Sequence, residues 1–91
     1  MTVAETIRMK LTERLAPTRL EVIDDSHRHA GHAGARPGGE THFTVTVVSG
    51  AFAGLSRVER QRLVYDLLAG ELAGGVHALS LVTRAPHEEK R

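Results

Sequence analysis

The sequence contains no cysteine and no tryptophan, and aromatic residues make up only 3% of it. Without cysteine there is no disulfide, no thiol nucleophile and no thiolate metal site that the chain could complete alone, so the fold rests on packing. Charge of one sign is also lacking. Twelve Lys+Arg against 11 Asp+Glu leave a formal net charge of +1. No global positive field draws such a chain to nucleic acid, and any basic surface has to be local. No apolar run approaches the roughly 18 residues of a membrane span. The opening segment MTVAETIRMKLTERL mixes charges among its apolar residues instead of setting a basic start before an apolar stretch. No secretory leader is read there, and a soluble, cytoplasmic protein is expected. A length of 91 residues accommodates a single domain, 1–91, that buries about 60 to 65% of its extended surface. That leaves no room for a multi-domain enzyme architecture within it.

What the sequence does hold is histidine, six in all, with three close together as His27, His29 and His32. Around them the pattern of elements is readable. Thr2 and Glu5 form a capping box, behind which Val3, Ile7 and Leu11 recur every fourth residue as an amphipathic helix that ends before Pro17. Arg19 to Asp25 has a short strand pattern. Thr41 to Val48 alternates more clearly, with Phe43, Val45 and Val47 on one face and His42, Thr44 and Thr46 on the other. Between these strands, residues 26–40 are read as a flexible His/Gly loop, longer than an ordinary hairpin connection. A turn around Ser49–Gly54 leads to a second capping box, Ser56 with Glu59, opening a helix to about Leu72 that Gly74 and Gly75 stop. Leu63, Val64, Leu67 and Leu68 share its apolar sector, and Arg60 falls inside that sector with its stem packed and its guanidinium expected in water. Val76 to Thr83 reads as a third strand, followed by a polar, frayed tail over 86–91. The fold class is therefore α+β, in the order αββαβ. Its three-stranded mixed sheet carries the helices packed on it, with the first two strands antiparallel and the strand–helix–strand segment making a parallel crossover.

Several chemistries are excluded by pattern. There is no G-x-S-x-G, no P-loop and no G-x-G-x-x-G, and the neighbours Asp25, Ser26 and His27 cannot face one another as a triad. Asp24 and Asp25 read as solvated turn acids, with oxygen ligation as the alternative, and Tyr65 and Phe43 as core aromatics. Metal binding is the remaining candidate. Neutral imidazole is a common ligand, and His27, His29 and His32 sit on a segment able to bring two rings to one ion, or are incidental polar residues of a loop. His77 stands after a helix-stopping glycine pair and shares the parity of Leu79 and Leu81. It is either a half-buried histidine bonded to backbone or an exposed ligand at the sheet's end. Two imidazoles do not close a four-coordinate site, so the remaining donors have to come from a partner. Arg57, Arg60 and Arg62 near the start of the second helix form a basic patch diluted by Glu59 and Asp66, which reads as a solvated helix face or else as a contact for DNA or a protein partner.

The segments LEVIDDSHRHAGHAG, GETHFTVTVVSGAFAGLSRVERQRLVYDLLAGEL and GVHALSLVTRAP resemble the BolA family over residues 7 to about 86. The resemblance rests on D-x-S before a histidine-containing loop, E-T-H-F, V-S-x-x-F-x-G-L, an arginine-rich helix start, L-x-x-E-L and V-H-A-L. It implies a type II KH-like fold without the GxxG loop, and a non-enzymatic adaptor that binds a monothiol glutaredoxin and co-ligates a [2Fe–2S] cluster for iron–sulfur trafficking or iron regulation. The thiolates missing from this chain would then come from glutaredoxin and glutathione, with no cofactor expected in the isolated chain, a monomer or weak homodimer. By the same resemblance, V-H-A-L gives His77 as ligand and the position after Ser26–His27–Arg28 gives His29, with His32 and His27 as alternates. Where the family's helix usually reads R-H-R this chain has Arg60, Gln61 and Arg62. The competing implication is a DNA-binding transcriptional regulator using Arg57, Arg60 and Arg62.

Overall fold

The computed structural model describes residues 2–25, 42–76 and 78–89. Helix α1 spans Val3–Leu15 and β1 spans Arg19–Asp24, followed by β2 over His42–Val48 and a 3₁₀ turn over Gly50–Phe52. Helices α2 (Arg57–Leu67) and α3 (Ala69–Ala73), strand β3 (Ala78–Arg84) and a second 3₁₀ turn (Pro86–Glu88) complete the order. Strand β2 is central, antiparallel to β1 and parallel to β3. This is the mixed three-stranded sheet that the sequence pattern implies.

Both capping boxes form. The Thr2 N–H donates to Glu5 Oε1 at 2.7 Å, and Glu5 N–H donates back to Thr2 Oγ1 at 3.1 Å. Ser56 and Glu59 repeat the exchange at 2.7 and 3.1 Å. Each box satisfies two backbone donors that a helix start otherwise leaves unpaired. Ile7, Leu11 and Leu15, one helical repeat apart, bury the inner stripe of α1. They pack on the face of the sheet formed by Val22, Phe43, Val45 and Val47, with Phe52, Val64, Leu68 and Val76 closing the core. Leu79 and Leu81 flank that core, half-buried, from β3.

The expected single helix to Leu72 is divided at Leu68, whose φ of −103° and ψ of 17° leave the α-helical region. Leu68 itself is buried. The break turns α3 so that Leu72 packs against the core and Glu71 meets Lys10 of α1, Nζ to Oε1 at 2.8 Å. Gly70, a poor helix former, sits in the short second segment.

Because β1 runs against β2 and β3 runs with it, the last residue of β1 and the first residues of β2 and β3 share one end. The outer edge of β1 is partly covered by Arg8, whose Nη2 donates to Val22 O at 3.2 Å. On the other edge Tyr65 of α2 donates its hydroxyl to Leu79 O at 3.3 Å. Tyr65 is 39% exposed. The expectation of a core aromatic is corrected there, because the ring lies along the rim of the helix with its polar end on an edge strand; Phe43 is core as expected.

Candidate functional site

The four candidate ligands His77, His29, His32 and His27 lie outside the described residues. The described residues at the two ends of segment 26–41, Asp25 and His42, and Ala78 after residue 77, meet at one end of the sheet. Asp25 N–H donates to His42 O at 2.8 Å, and His42 is level with Ala78 across the β2–β3 pair. The chain thus leaves β1 and re-enters β2 at the same sheet end where Ala78, the neighbour of residue 77 in sequence, begins β3. Thr44 donates its hydroxyl to Asp25 Oδ2, which fixes that carboxylate across the strand pair. Asp24, Asp25 and His42 are each engaged with neighbours. The reading of the two aspartates as solvated turn acids is corrected: both are half-buried, and Asp25 closes the ladder. Among the described residues no three His, Asp or Glu side chains gather as a metal site.

The arginines of α2 separate into two kinds. Arg57 and Arg62 are exposed. Arg60 is 9% exposed, and its guanidinium is not in water as expected. Nε donates to Leu55 O at 3.0 Å, Nη1 and Nη2 donate to the two oxygens of Glu88 at 2.6 and 2.9 Å, and the Phe52 ring centroid is 6.0 Å from Cζ. A guanidinium drawn into an apolar helix sector needs a planar acceptor, and the fork of Glu88 supplies one in bidentate geometry. Arg60 together with the Ala85 N–H, 2.8 Å from Glu88 Oε1, holds the Glu88 carboxyl well below the ordinary carboxylate value, at about 2. The same contact raises Arg60. Glu59 is held low by the Ser56 N–H of its capping box.

Residues 86–89 are consequently not a frayed tail. The turn Pro86–Glu88 follows the fully buried Ala85, and Glu89 meets Arg19 of β1, Oε2 to Nη1 at 2.5 Å. Two carboxylates, on Arg60 and Arg19, hold the end of β3 to both sides of the molecule.

The model for "BolA-like protein" matches residues 11–88. This chain belongs to the BolA family. Over its full length it is 51% identical to an uncharacterized protein in the cobS 5′ region of Sinorhizobium sp, spanning 99% of that protein. It is 51% identical over 80 residues to human BolA-like protein 1, covering 88% of this chain and 56% of the relative. The solved BolA domain of SufE1 from Arabidopsis thaliana superposes with a TM-score of 0.86 at 51% identity, over 94% of both chains. This chain spans only about a quarter, 23%, of the whole SufE-like protein 1, which is named as chloroplastic/mitochondrial. The family therefore does not fix a compartment. No helix among the described residues is long and apolar enough to cross a membrane.

Within this BolA domain, the family's V-S-x-x-F-x-G-L turn acquires a physical account. Ser49 is fully buried, donates its hydroxyl to Leu15 O at 2.5 Å and accepts from Ala51 N–H at 3.1 Å, tying the end of α1 to the turn. Phe52 fills the core, and Gly54 takes a φ of +81°, which only glycine adopts without strain.

Proposed function

We propose that this BolA-family protein is a non-enzymatic adaptor that binds a monothiol glutaredoxin and co-ligates a [2Fe–2S] cluster with it. His77 and a loop histidine, His29 with His32 and His27 as alternates, would supply imidazole nitrogen. The glutaredoxin cysteine and glutathione would supply the thiolates. The observation that carries this reading is the convergence at one sheet end: the Asp25–His42 bond of 2.8 Å with Ala78 level with His42. It brings both described ends of segment 26–41 to the sheet end where Ala78 follows residue 77. The absence of cysteine from the whole sequence supports the same division of donors. A cluster held partly by neutral imidazole is less negative than an all-thiolate one and takes a higher reduction potential. Its ligation weakens as the imidazoles protonate near their ordinary pKa of about 6.5.

The test mixes this protein with a cluster-loaded monothiol glutaredoxin and glutathione and follows the visible circular dichroism. A new spectrum that His77→Ala abolishes and that fades below about pH 6 supports the reading. A complex that forms equally well without iron and keeps its affinity in His77→Ala makes the protein a cluster-free interaction module. Salt-dependent, sequence-selective gel shifts lost on substitution of Arg57 and Arg62 make it a DNA-binding regulator instead.

A further inference from the structure

A cavity of about 380 Å³ is lined by Arg57 and Arg60 of α2, by Leu81, Val82, Thr83 and Arg84 of β3, and by Glu88. Successive strand residues point to opposite faces of a sheet. A cavity touching four in a row therefore lies along the edge of β3 and not over either face. The backbone of that edge is available. Ser49 N–H donates to Arg84 O at 2.9 Å, so the peptide groups of residues 84, 82 and 80 face β2, and those of 83, 81 and 79 face outward. Tyr65 covers the Leu79 carbonyl at 3.3 Å, and Arg60 approaches the Thr83 carbonyl at 3.5 Å. Between them the Leu81 N–H and C=O receive no side chain among the described residues.

The charge around this edge is one-sided. Arg57 and Arg84 are exposed, and neither has an ion-pair partner among the described residues. The acid in the lining, Glu88, already faces Arg60 and the Ala85 N–H. No lining residue is aromatic, so nothing offers a base a stacking platform.

We propose that the outer edge of β3 is a docking site for an acidic, extended segment of a partner protein, which adds as a fourth strand beside Leu79–Thr83. Main-chain bonds to the Leu81 peptide groups would give affinity, and carboxylates facing Arg57 and Arg84 would give specificity. Arg57 belongs to a helix on the core side of the sheet, whereas Arg84 has the parity of the open side. A strand addresses both with neighbouring residues, so the recognised pattern is an adjacent acidic pair within a β-forming run. Leu81, at the centre of the site, lies three residues beyond Ala78 along β3, and the site does not depend on the cluster reading.

The experiment titrates the full ¹⁵N-labelled chain with a blocked peptide of valines and threonines carrying a central Glu-Glu pair. The same peptide with Lys-Lys, and one with proline between the two glutamates, serve as controls. The expected result is a shift and exchange protection of the Leu81 and Thr83 amides with the Glu-Glu peptide only. The Arg57→Ala/Arg84→Ala double variant, which changes exposed side chains alone, should weaken binding by about tenfold. Equal binding of the Lys-Lys or proline peptide, or no shift at Leu81, overturns the proposal. If the same amides shift with protein concentration alone, the occupant is a second copy of this chain. If a single-stranded oligonucleotide displaces the peptide and binds more tightly, the groove is a nucleic-acid site. Either result also overturns the proposal.

Discussion

Ser49→Ala removes a fully buried hydroxyl that works in both directions, donating to Leu15 O at 2.5 Å and accepting from Ala51 N–H at 3.1 Å. Alanine fills nearly the same volume, so the loss is polar and leaves almost no cavity. The Leu15 carbonyl, at the end of α1, loses its donor; a buried acceptor left without one costs about 1–3 kcal/mol. The Ala51 N–H loses its cap, for about a further 1 kcal/mol. The expected destabilisation is therefore about 2–4 kcal/mol, and at roughly 4–8 °C per kcal/mol for a domain of this size the melting temperature falls by about 8–32 °C. The backbone bond from Ser49 N–H to Arg84 O, 2.9 Å, is untouched, so the fold itself persists. Urea unfolding followed by far-ultraviolet circular dichroism measures the change, with the exposed Thr12→Ala as control. A Ser49→Ala unfolding free energy within about 0.5 kcal/mol of the parent at unchanged slope would refute the argument that this hydroxyl fastens α1 to the turn.

Glu88 makes stability depend on acid. Its carboxyl is held at about 2 against an ordinary 4.5, by Arg60 first and the Ala85 N–H second. The unfolded chain therefore takes up the proton first, and the stabilisation is complete above pH 4.5 and lost as the pH falls from 4.5 to about 2. Glu88→Gln should lower the urea midpoint at neutral pH and flatten the acid limb, so that the two midpoints converge near pH 2; parallel limbs would contradict the assignment. Two glycines of the turn should respond differently, although a Cβ at either meets nothing within 4 Å. Gly54→Ala must hold a left-handed φ of +81° and should cost about 1–2 kcal/mol, whereas Gly50→Ala should be neutral or mildly stabilising. Thermal melts of both decide it, and equal losses would show that something other than backbone conformation is at work.

The regular elements were legible because local rules agreed with the tertiary result. Thr2–Glu5 and Ser56–Glu59 announced the helix starts, and the alternation Phe43, Val45, Val47 announced the buried face of β2. The break at Leu68 was not legible, since Val64, Leu67, Leu68 and Leu72 keep helical spacing through it, and beyond it Leu72 packs on the core and Glu71 meets Lys10. The tail was misread for a related reason. Pro86–Glu89 is polar and lacks periodicity, and its order comes from contacts with Arg60 and Arg19, 28 and 70 residues away. A usable signal was nevertheless present: an arginine inside an apolar helix sector calls for a carboxylate, and Glu88 and Glu89 were the acids left after the last strand.

That missed pairing changes how the basic helix is understood. A row of Arg57, Arg60 and Arg62 reads as one patch when only sequence spacing is counted, yet burial divides it, because a desolvated guanidinium is stable only when its fork is filled. Glu88 fills that fork, and Arg60 thereby becomes the post to which the end of β3 is tied. What remains exposed is Arg57 and Arg62, and beside Arg57 across the β3 edge is Arg84, a residue no helix-based reading would have grouped with it. The candidate ligands follow the opposite logic. Nothing in the periodicity of residues 26–40 or 75–78 relates one to the other; only the combination of an antiparallel and a parallel pairing about β2 puts Asp25, His42 and Ala78 at one end. The sheet's topology, and not the histidine count, is what makes a shared centre at that end a physical proposal.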